Sequence, residues 1–420
     1  MISWKLKTQS LWPIGLDIGH NSIKMIQLAM NGPRMSIIAA DKVHVDEAMD
    51  GDEETRKNFV VSAIKRMLAS GNFRGRNVVS CLPNDKLNIT SLRLAETETD
   101  EIEQALRKEA SLRFGLASEL DAVNYLVAGN VQYGDEIRNE LILFAASDEA
   151  IRDHIAMLEA AQLRPVAIDT VSCALFRSFE RFRRRGEDKE QTVVFVDIGS
   201  RFTTVVFGRC GEISFTKQIP IGGERFNREV ASKLGISIDE AQTLREKLQM
   251  KNTIRAEISL DVSKPSSPAQ DSAAAILQTE QNGDGHSDEQ LDSPEQIATE
   301  ELGQGSLDAS TQEVIVNAIS VVAEELAKEI SLCLRYYTVT FRGKRIERAV
   351  FSGGEAYEKI LLNVLRRHLV VEIEVAQPLR SLDMTKVNFE NRRGLLCEWA
   401  VAVGLSLKNW DKERNSYEGN

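Results

Sequence analysis

Two copies of one short motif carry the residues of this chain that could do chemistry. The first copy, GLDIGHNSIKMIQL, contains Asp17 and Gly19, and the second, VVFVDIGSRFTTVVF, contains Asp197 and Gly199 in the same frame. Each copy predicts a β-hairpin whose tight turn carries a carboxylate and a glycine, which lets backbone N–H groups approach a ligand. Two such turns facing one another could hold a polyphosphate and its metal ion. The repetition therefore predicts nucleotide binding between two similar lobes.

A third glycine motif, AVFSGGEAYEKILL, places Gly353 and Gly354 between a predicted strand and a predicted helix. Glycines at such a junction let a flat ligand or a phosphate lie against the N-terminus of the helix, where free N–H groups and the helix dipole favour anions. Together with the paired hairpins, this motif favours a nucleotide.

A pair of predicted helices follows the second hairpin. In IPIGGERFNREV, Gly222 and Gly223 precede the first of them. The second, in SIDEAQTLREKL, begins with a capping box of a serine and a glutamate. It carries Gln242 and Arg245 three residues apart, so that both point the same way and can donate hydrogen bonds to a polar ligand.

The composition limits the class of protein. The chain has 420 residues, of which 42% are hydrophobic, and can bury two or three cores at about 150 residues per domain. The net charge of −11 argues against nucleic acid as the main ligand, because phosphate backbones are bound by clustered Lys and Arg. The basic run from Arg181 to Arg185 is interpreted as a solvated helix end or loop. The five cysteines lack CxxC spacing, which is typical of reduced thiols in a cytosolic protein.

The pattern of strands and helices predicts five segments. They are lobe 1 at 1–83 and 165–191, an inserted α/β subdomain at 84–164, lobe 2 at 192–260 and 311–407, a disordered acidic insertion at 261–310 and a tail at 408–420. The insertion is rich in Ser, Gln, Asp, Glu, Gly and Pro, and cannot bury enough apolar surface to offset the cost of ordering. After it, an amphipathic helix is predicted to face a core with Val314, Ala318, Val321, Val322 and Leu326.

Taken together, the motifs resemble the superfamily of actin, sugar kinases and heat-shock-chaperone ATPases. Within it they are most similar to the PilM family of type IV pilus assembly ATPases, which is related to the division protein FtsA. The likeness is carried by GLDIGHNSIKMIQL, DEIEQALRKEASLRFGL, LILFAASDEAIRDHIAMLEAAQLRPVAIDTVSCAL, VVFVDIGSRFTTVVF and IPIGGERFNREVA. It implies an α/β, actin-like two-lobed ATPase fold of duplicated ribonuclease H-like domains, with a small inserted α/β subdomain.

The resemblance also implies roles for single residues. Asp17 and Asp197 would arrange Mg²⁺ and its waters, and Asp169 would position the water that attacks ATP. The expected ATP-binding residues are Asp17, Gly19, Asn21, Ser22, Lys24, Asp197, Gly199, Thr203, Thr204, Gly222, Gly223, Gln242, Arg245, Gly353 and Gly354. Hydrolysis in such sites depends on orientation and charge neutralisation, so no covalent nucleophile is needed. Weak ATPase activity is the expectation.

This sequence departs from the family pattern at four positions. Gln242 and Arg245 stand where the family has a Glu and a Lys that contact ribose, and both keep the capacity to hydrogen-bond. His20 replaces a small residue, and SGGEAY lacks the third glycine of the usual turn.

The implied partner is the cytoplasmic N-terminal tail of a PilN-like inner-membrane protein. Because no stretch has the roughly 18 apolar residues of a membrane helix, the chain is expected in the cytoplasm at the inner face of the inner membrane, bound only through its partner. The tail would lie in a groove walled by LNITSLRLA and DEIEQALRKEASLRF, and self-association is left open. The alternatives are a nucleotide-free scaffold of the same fold and a small-molecule kinase. GxxxxGK and GxSxG motifs are absent from the sequence.

Overall fold

The computed structural model describes most of the chain. The described residues are 10–31, 34–45, 52–95, 98–133, 136–183, 190–249, 307–341, 346–389 and 396–408. The predicted acidic insertion lies outside them except for residues 307–310, and so does the predicted tail after Lys408.

Two five-stranded sheets repeat one topology. The first has the order β3-β2-β1-β4-β8 and the second the order β11-β10-β9-β12-β13. The strands of the first are β1 (Ser10–Ile18), β2 (Ser22–Asn31), β3 (Arg34–His44), β4 (Asn77–Cys81) and β8 (Arg164–Asp169), and those of the second are β9 (Thr192–Ile198), β10 (Thr203–Arg209), β11 (Glu212–Ile219), β12 (Ile346–Ser352) and β13 (Glu372–Val375). In each sheet an antiparallel meander continues into two parallel strands. The predicted duplication of an α/β lobe is therefore confirmed.

Helices cover the sheets and connect them. They are α1 (Glu53–Ser70), α2 (Thr99–Phe114), α3 (Asp148–Ala160), α4 (Val171–Glu180), α5 (Gly223–Leu234), α6 (residues 238–249), α7 (Ala309–Thr340), α8 (Lys359–His368) and α9 (Ala400–Ser406). The capping box predicted for α6 is present, since Glu240 Oε2 accepts from Ser237 N at 2.9 Å and Ser237 Oγ accepts from Glu240 N at 3.2 Å. On α7, Ala318, Val322 and Leu326 are buried as predicted, whereas Val321 is 54% exposed. The buried stripe runs through Ala318, Ile319, Val322, Ala323 and Leu326, and at 100° per residue Val321 falls on the opposite side of the helix.

A third, three-stranded sheet lies in the segment between β4 and β8. It consists of β5 (Asn88–Leu94), β6 (Ala122–Tyr133) and β7 (Glu136–Ala146), in the order β5-β7-β6. One face packs on α2 through Leu92, Leu106 and Leu141. The other face joins the core of the second five-stranded sheet, where Phe144 belongs to the same buried cluster as Phe215. This small sheet is thus continuous in sequence with the first lobe but packs against the second.

Two glycines let α9 cross the first sheet at very short range. A Cβ atom on Gly15 of β1 would overlap the carbonyl oxygen of Ala402, and one on Gly404 would overlap the carbonyl oxygen of Ala174 in α4. Backbone therefore packs directly on backbone, and α9 is fixed between β1 and α4.

In the basic run after α4, residues 184 and 185 lie outside the described residues, and the two described arginines differ from the interpretation of the run as a solvated segment. Arg181 and Arg183 are buried, and their guanidinium groups donate to backbone carbonyls of Ser178, Arg380 and Gln191, among others. Buried arginines of this kind hold loops in place, because each N–H donor finds a carbonyl acceptor. Within the described residues, no helix is both long enough and apolar enough to cross a membrane.

Candidate functional site

The two hairpin turns have the same hydrogen-bond geometry. Gly19 N donates to the carbonyl oxygen of Ser22 at 2.9 Å, and Gly199 N donates to that of Phe202 at 3.0 Å. The strand register is also the same up to the turn, because Asp17 lies opposite Lys24 and Asp197 lies opposite Thr204. The equivalence predicted from sequence is therefore met in the local structure of both turns.

The two turns lie in contact with one another. Ser200 Oγ donates to Asn21 Oδ1 at 2.9 Å and joins the second turn to the first. The first turn is further held by Arg56 of α1, whose Nη2 donates to the carbonyl oxygens of Gly19 and His20 at 3.0 Å each. Sequence reasoning missed Arg56, since nothing in the local pattern of α1 points to a turn that precedes it by 37 residues.

The carboxylates of both turns are close enough to influence each other. The pKa of Asp197 is raised from 3.8 to about 6, first by burial and then by the negative charge of Asp17, against the opposing effects of Ser352 and Lys24. Ser352 Oγ donates to Asp197 Oδ1 at 3.0 Å, and Lys24 Nζ lies 3.2 Å from Asp17 Oδ2. Two carboxylates in mutual repulsion form an environment that a cation stabilises.

The donor set fits a magnesium ion bound together with a polyphosphate. Mg²⁺ takes one or two carboxylates and completes its octahedron with phosphate oxygens and waters, so a cage made only of protein groups is not needed. Asp17 and Asp197 provide two carboxylates, and no group of three or more His, Cys, Asp or Glu able to hold a metal occurs among the described residues. The site therefore suits Mg²⁺ as part of a metal–nucleotide complex.

Several predicted phosphate-site residues use their side chains within the protein. Thr203 Oγ1 donates to the carbonyl oxygen of Ile221 at 2.6 Å, and Thr204 Oγ1 accepts from Asn84 Nδ2 at 3.5 Å. Both threonines are buried, so they shape the second hairpin and leave contacts with a ligand to backbone and solvent-facing atoms. Ser22 closes the first turn through its carbonyl oxygen.

The glycines at the start of α5 allow the helix to pack closely on the second turn. A Cβ atom on Gly222 would lie 2.5 Å from the carbonyl oxygens of Gly199 and Ser200. Gly223 N donates to Gly199 O at 3.0 Å and Glu224 N donates to Ser200 O at 2.8 Å. The first N–H groups of α5 thus hold the second turn against the helix.

The third glycine motif lies beside the end of β9. Gly353 has a φ of 93°, and a Cβ atom there would overlap the backbone of Ile198, so only glycine fits. Gly354 has open space where a side chain would be. Ser352, the residue before them, is the one that contacts Asp197. The turn therefore continues the wall of the cleft from the carboxylates outward.

Helix α6 contacts the segment that follows this glycine turn. Arg245 Nη2 donates to Glu355 Oε2 at 2.6 Å, immediately after the Gly353–Gly354 turn. Gln242 Oε1 accepts from Asn227 Nδ2 at 3.4 Å, and its Nε2 donates to Glu246 at 3.3 Å. Of the two residues predicted to contact ribose, Arg245 is therefore placed beside the turn with Glu355 as its partner, and Gln242 lies on the same helix in contact with Asn227. Sequence reasoning missed Glu355, for which the replaced third glycine was the available signal.

Asp169 is placed at the end of β8 with its carboxylate fully engaged. Oδ1 accepts from Thr170 N at 2.9 Å, and Oδ2 accepts from Arg177 Nη2 at 2.9 Å and from Lys408 Nζ at 3.2 Å. Cys81, its neighbour on β4, has a pKa raised well above the usual value by burial and then by the charges of Asp169 and Asp17. Asp169 therefore lies at the carboxyl-terminal end of its strand, at the same end of the sheet as Asp17.

Duplicated five-stranded sheets whose hairpin turns contact each other define an actin-like ATPase fold. The family model of the Type IV pilus assembly protein PilM matches residues 15–265. The chain belongs to this family.

Comparison with solved structures agrees on the fold. The PilM-PilN type IV pilus biogenesis complex is 18% identical with a TM-score of 0.65, and covers 94% of this chain and 98% of that chain. The ethanolamine utilization protein EutJ from Carboxydothermus hydrogenoformans is 14% identical with a TM-score of 0.46, covering 94% and 89% of the two chains. MreB5 of Spiroplasma citri bound to ADP is 10% identical with a TM-score of 0.43, covering 96% and 98%. The last two similarities are too low to support an argument.

Proposed function

We propose that this actin-like member of the PilM family binds Mg-ATP between its two lobes. The observation that carries the proposal is the contact of two equivalent hairpin turns, with Ser200 bonded to Asn21 and two carboxylates close enough to raise the pKa of Asp197. In this arrangement the turns at Gly19 and Gly199, each closed by its own backbone hydrogen bond, would lie beside the phosphates, and the Gly353–Gly354 turn would lie beside the nucleoside.

Each element of the site has a separate task in this proposal. Asp17 and Asp197 would hold the metal, which supplies charge neutralisation to the phosphates when bound. Lys24, which is 8% exposed, orients the carboxylate of Asp17 by a contact of 3.2 Å. Arg56 fixes the first turn, so that the backbone does not have to reorganise when a ligand arrives.

Replacement of Asp17 tests the site. Asp17→Ala should abolish the metal-dependent rise in thermal stability on addition of Mg-ATP, which for the native chain is about 2.7 kcal/mol at a ligand concentration 100 times Kd. Asp153→Ala, on an exposed position of α3, is the matched control and should keep the full shift. A shift that is equal in both variants would place the nucleotide elsewhere.

We propose further that the chain docks on the cytoplasmic N-terminal tail of a PilN-like inner-membrane protein. The similar solved structure is that of a PilM-PilN complex, and β5 is an edge strand whose outer side has no partner among the described strands. An extended tail can add to such an edge through main-chain hydrogen bonds, while pockets beside it bind alternate side chains. Leu112 on α2, 71% exposed, offers an apolar anchor in the same subdomain.

Binding of a synthetic tail peptide to surface variants tests the docking surface. Leu112→Glu should weaken binding at least about tenfold, because it places a charge in an apolar contact. Val370→Glu is the control, since Val370 is fully exposed on the second lobe and outside the inserted subdomain. Equal binding of both variants would contradict the assignment to the face that includes α2.

A further inference from the structure

The wall of the cleft beyond Asp197 ends in a buried ion pair. Glu355 follows the Gly353–Gly354 turn directly, and its Oε2 accepts a hydrogen bond from Arg245 Nη2 at 2.6 Å. The two side chains are 19% and 4% exposed, so the pair lies away from bulk solvent. A charged group at this depth is stable only if its partner or a ligand supplies the opposite charge or hydrogen bonds.

Arg245 is fixed in place and still has an unused donor. Its Nη1 donates to Asn227 Oδ1 at 2.6 Å and to the carbonyl oxygen of Gly223 at 3.2 Å, and its guanidinium lies 5.1 Å from the centre of the Phe226 ring. Nε is buried and has no hydrogen-bond acceptor among the described residues. Buried donors are normally paired, so Nε is a position where a ligand atom can add an acceptor.

The carboxylate of Glu355 fills space that the surrounding glycines leave open. A Cβ atom on Gly223 would overlap Glu355 Oε1, whereas no atom lies within 4 Å of a Cβ position on Gly354. The groove between α5 and the turn is therefore open beside Gly354 and occupied by Glu355 beside Gly223. Arg245 forms the floor of the groove at the occupied end.

Arg245 can change one partner without losing the others, because Glu355 is bonded to Nη2 while Nη1 is held by Asn227 and Gly223. A guanidinium has donors in a planar fork and can keep one bond while exchanging another, which an ammonium does less well.

We propose that Glu355 is an internal competitor for the nucleoside end of the cleft. Its carboxylate holds Arg245 when no nucleotide is bound, and the hydroxyl groups of a ribonucleotide replace it as acceptors for Nη2 and Nε. The inference rests on the proposed nucleotide site. Its consequence is that Glu355 lowers the affinity for nucleotides without contributing to the contacts that hold the phosphates.

Three ligands and two variants separate this role from a general effect of charge. Glu355→Gln and the control Glu374→Gln, whose ion pair with Arg348 is exposed on β13, are titrated calorimetrically with Mg-ADP, Mg-ATP and Mg-tripolyphosphate. Glu355→Gln should bind both nucleotides about tenfold more tightly, equivalent to about 1.4 kcal/mol, with tripolyphosphate affinity unchanged. Without ligand it should melt at a lower temperature than the native chain, because the ion pair is lost. Glu374→Gln should leave all three affinities unchanged.

Each other outcome overturns the inference at an identifiable point. An equal gain for tripolyphosphate would reduce the effect to long-range repulsion, and a loss of nucleotide affinity would make Glu355 a purely structural support. If the native chain binds nucleotide and Asp17→Ala does not, an unchanged Glu355→Gln disproves only the competitor role. If the native chain and both variants bind no nucleotide, the proposed function fails as well. Glu355→Asp, which keeps the charge but shortens the side chain, replaces Glu355→Gln if the latter does not fold, and the same gain is expected.

Discussion

At the scale of single residues, the site brings two carboxylates, Asp17 and Asp197, close enough for their charges to repel each other. The pKa of Asp197 is raised from 3.8 to about 6, first by burial and then by Asp17. Between these two values the folded state binds more protons than the unfolded state, so the stabilising effect of a neutral Asp197 is complete below about pH 4 and is lost as the pH rises through 6. Above that pH, ionised Asp197 destabilises the fold unless a cation is present.

Replacement of Asp197 should therefore stabilise the protein in the absence of ligand. Asp197→Asn keeps an acceptor for Ser352 Oγ and removes the charge, so the free energy of unfolding near pH 8 should rise by roughly 1–3 kcal/mol. The gain should shrink as the pH falls through 6, as measured by urea unfolding at several pH values. Asp153→Asn should show no such gain, and a destabilised Asp197→Asn at high pH would contradict the account.

The engaged carboxylate of Asp169 predicts slow hydrolysis. A residue that positions an attacking water needs a free oxygen, whereas Asp169 Oδ2 is shared by Arg177 and Lys408. In the proposed role Asp169 positions the attacking water through an oxygen that Arg177 and Lys408 also occupy, which makes the reaction slow. Asp169→Asn should then lower the remaining single-turnover hydrolysis by about 100-fold and leave Mg-ATP affinity within about twofold. Hydrolysis that persists at the native rate in this variant would remove Asp169 from the mechanism.

At the scale of elements, the crossing of α9 depends on two glycines that no local pattern distinguishes. Gly404→Ala would press a methyl group against the carbonyl oxygen of Ala174, and α9 cannot move away from α4 without pressing on β1. Overpacking of this kind costs about 1–3 kcal/mol, which should appear as a lower melting temperature. Gly354→Ala is the control, because a methyl group there has open space and should leave the melting temperature of the ligand-free protein unchanged. Equal melting temperatures would show that the crossing can relax.

The hairpins, the glycine turns and the capping box of α6 were predictable because each is determined by residues close together in sequence. The contact of Arg56 with the first turn and the pairing of Arg245 with Glu355 join segments 37 and 110 residues apart, and nothing in either segment alone indicates them. Burial of Arg181 was missed for the same reason, since its acceptors include the carbonyl oxygen of Arg380. Tertiary partners decide whether a charged side chain is solvated or structural.

At the scale of the whole molecule, the inserted subdomain connects the lobes. It is joined in sequence to β4 and β8 of the first sheet, yet it packs on β11 and α7 of the second. The junction centres on Glu140, which is 1% exposed and accepts from Arg93 Nε at 2.8 Å and from Tyr336 OH at 2.6 Å. Arg93 Nη2 also donates to Thr340 Oγ1 at 3.0 Å. We expect a change in the angle between the lobes to act on this junction.

A partner docked on the subdomain and a nucleotide in the cleft should consequently change each other's binding affinity. By linkage, the tail peptide must change Mg-ATP affinity by the same factor by which Mg-ATP changes peptide affinity. Glu140→Gln removes the charge that Arg93 and Tyr336 share. It should lower the free energy of unfolding by about 1–3 kcal/mol and speed amide exchange in β5 and β6. It should also bring the two factors by which the ligands change each other's affinity closer to one.

Glu136→Gln is the matched control, because Glu136 lies on the same strand in an exposed ion pair with Arg138. It should leave stability, exchange and coupling unchanged, since exposed pairs contribute little. Calorimetric titration of each ligand in the presence and absence of the other measures the two factors in each variant. Coupling that survives intact in a folded Glu140→Gln protein would mean that the lobes communicate through the Asn21–Ser200 contact instead, because this contact also joins one lobe to the other.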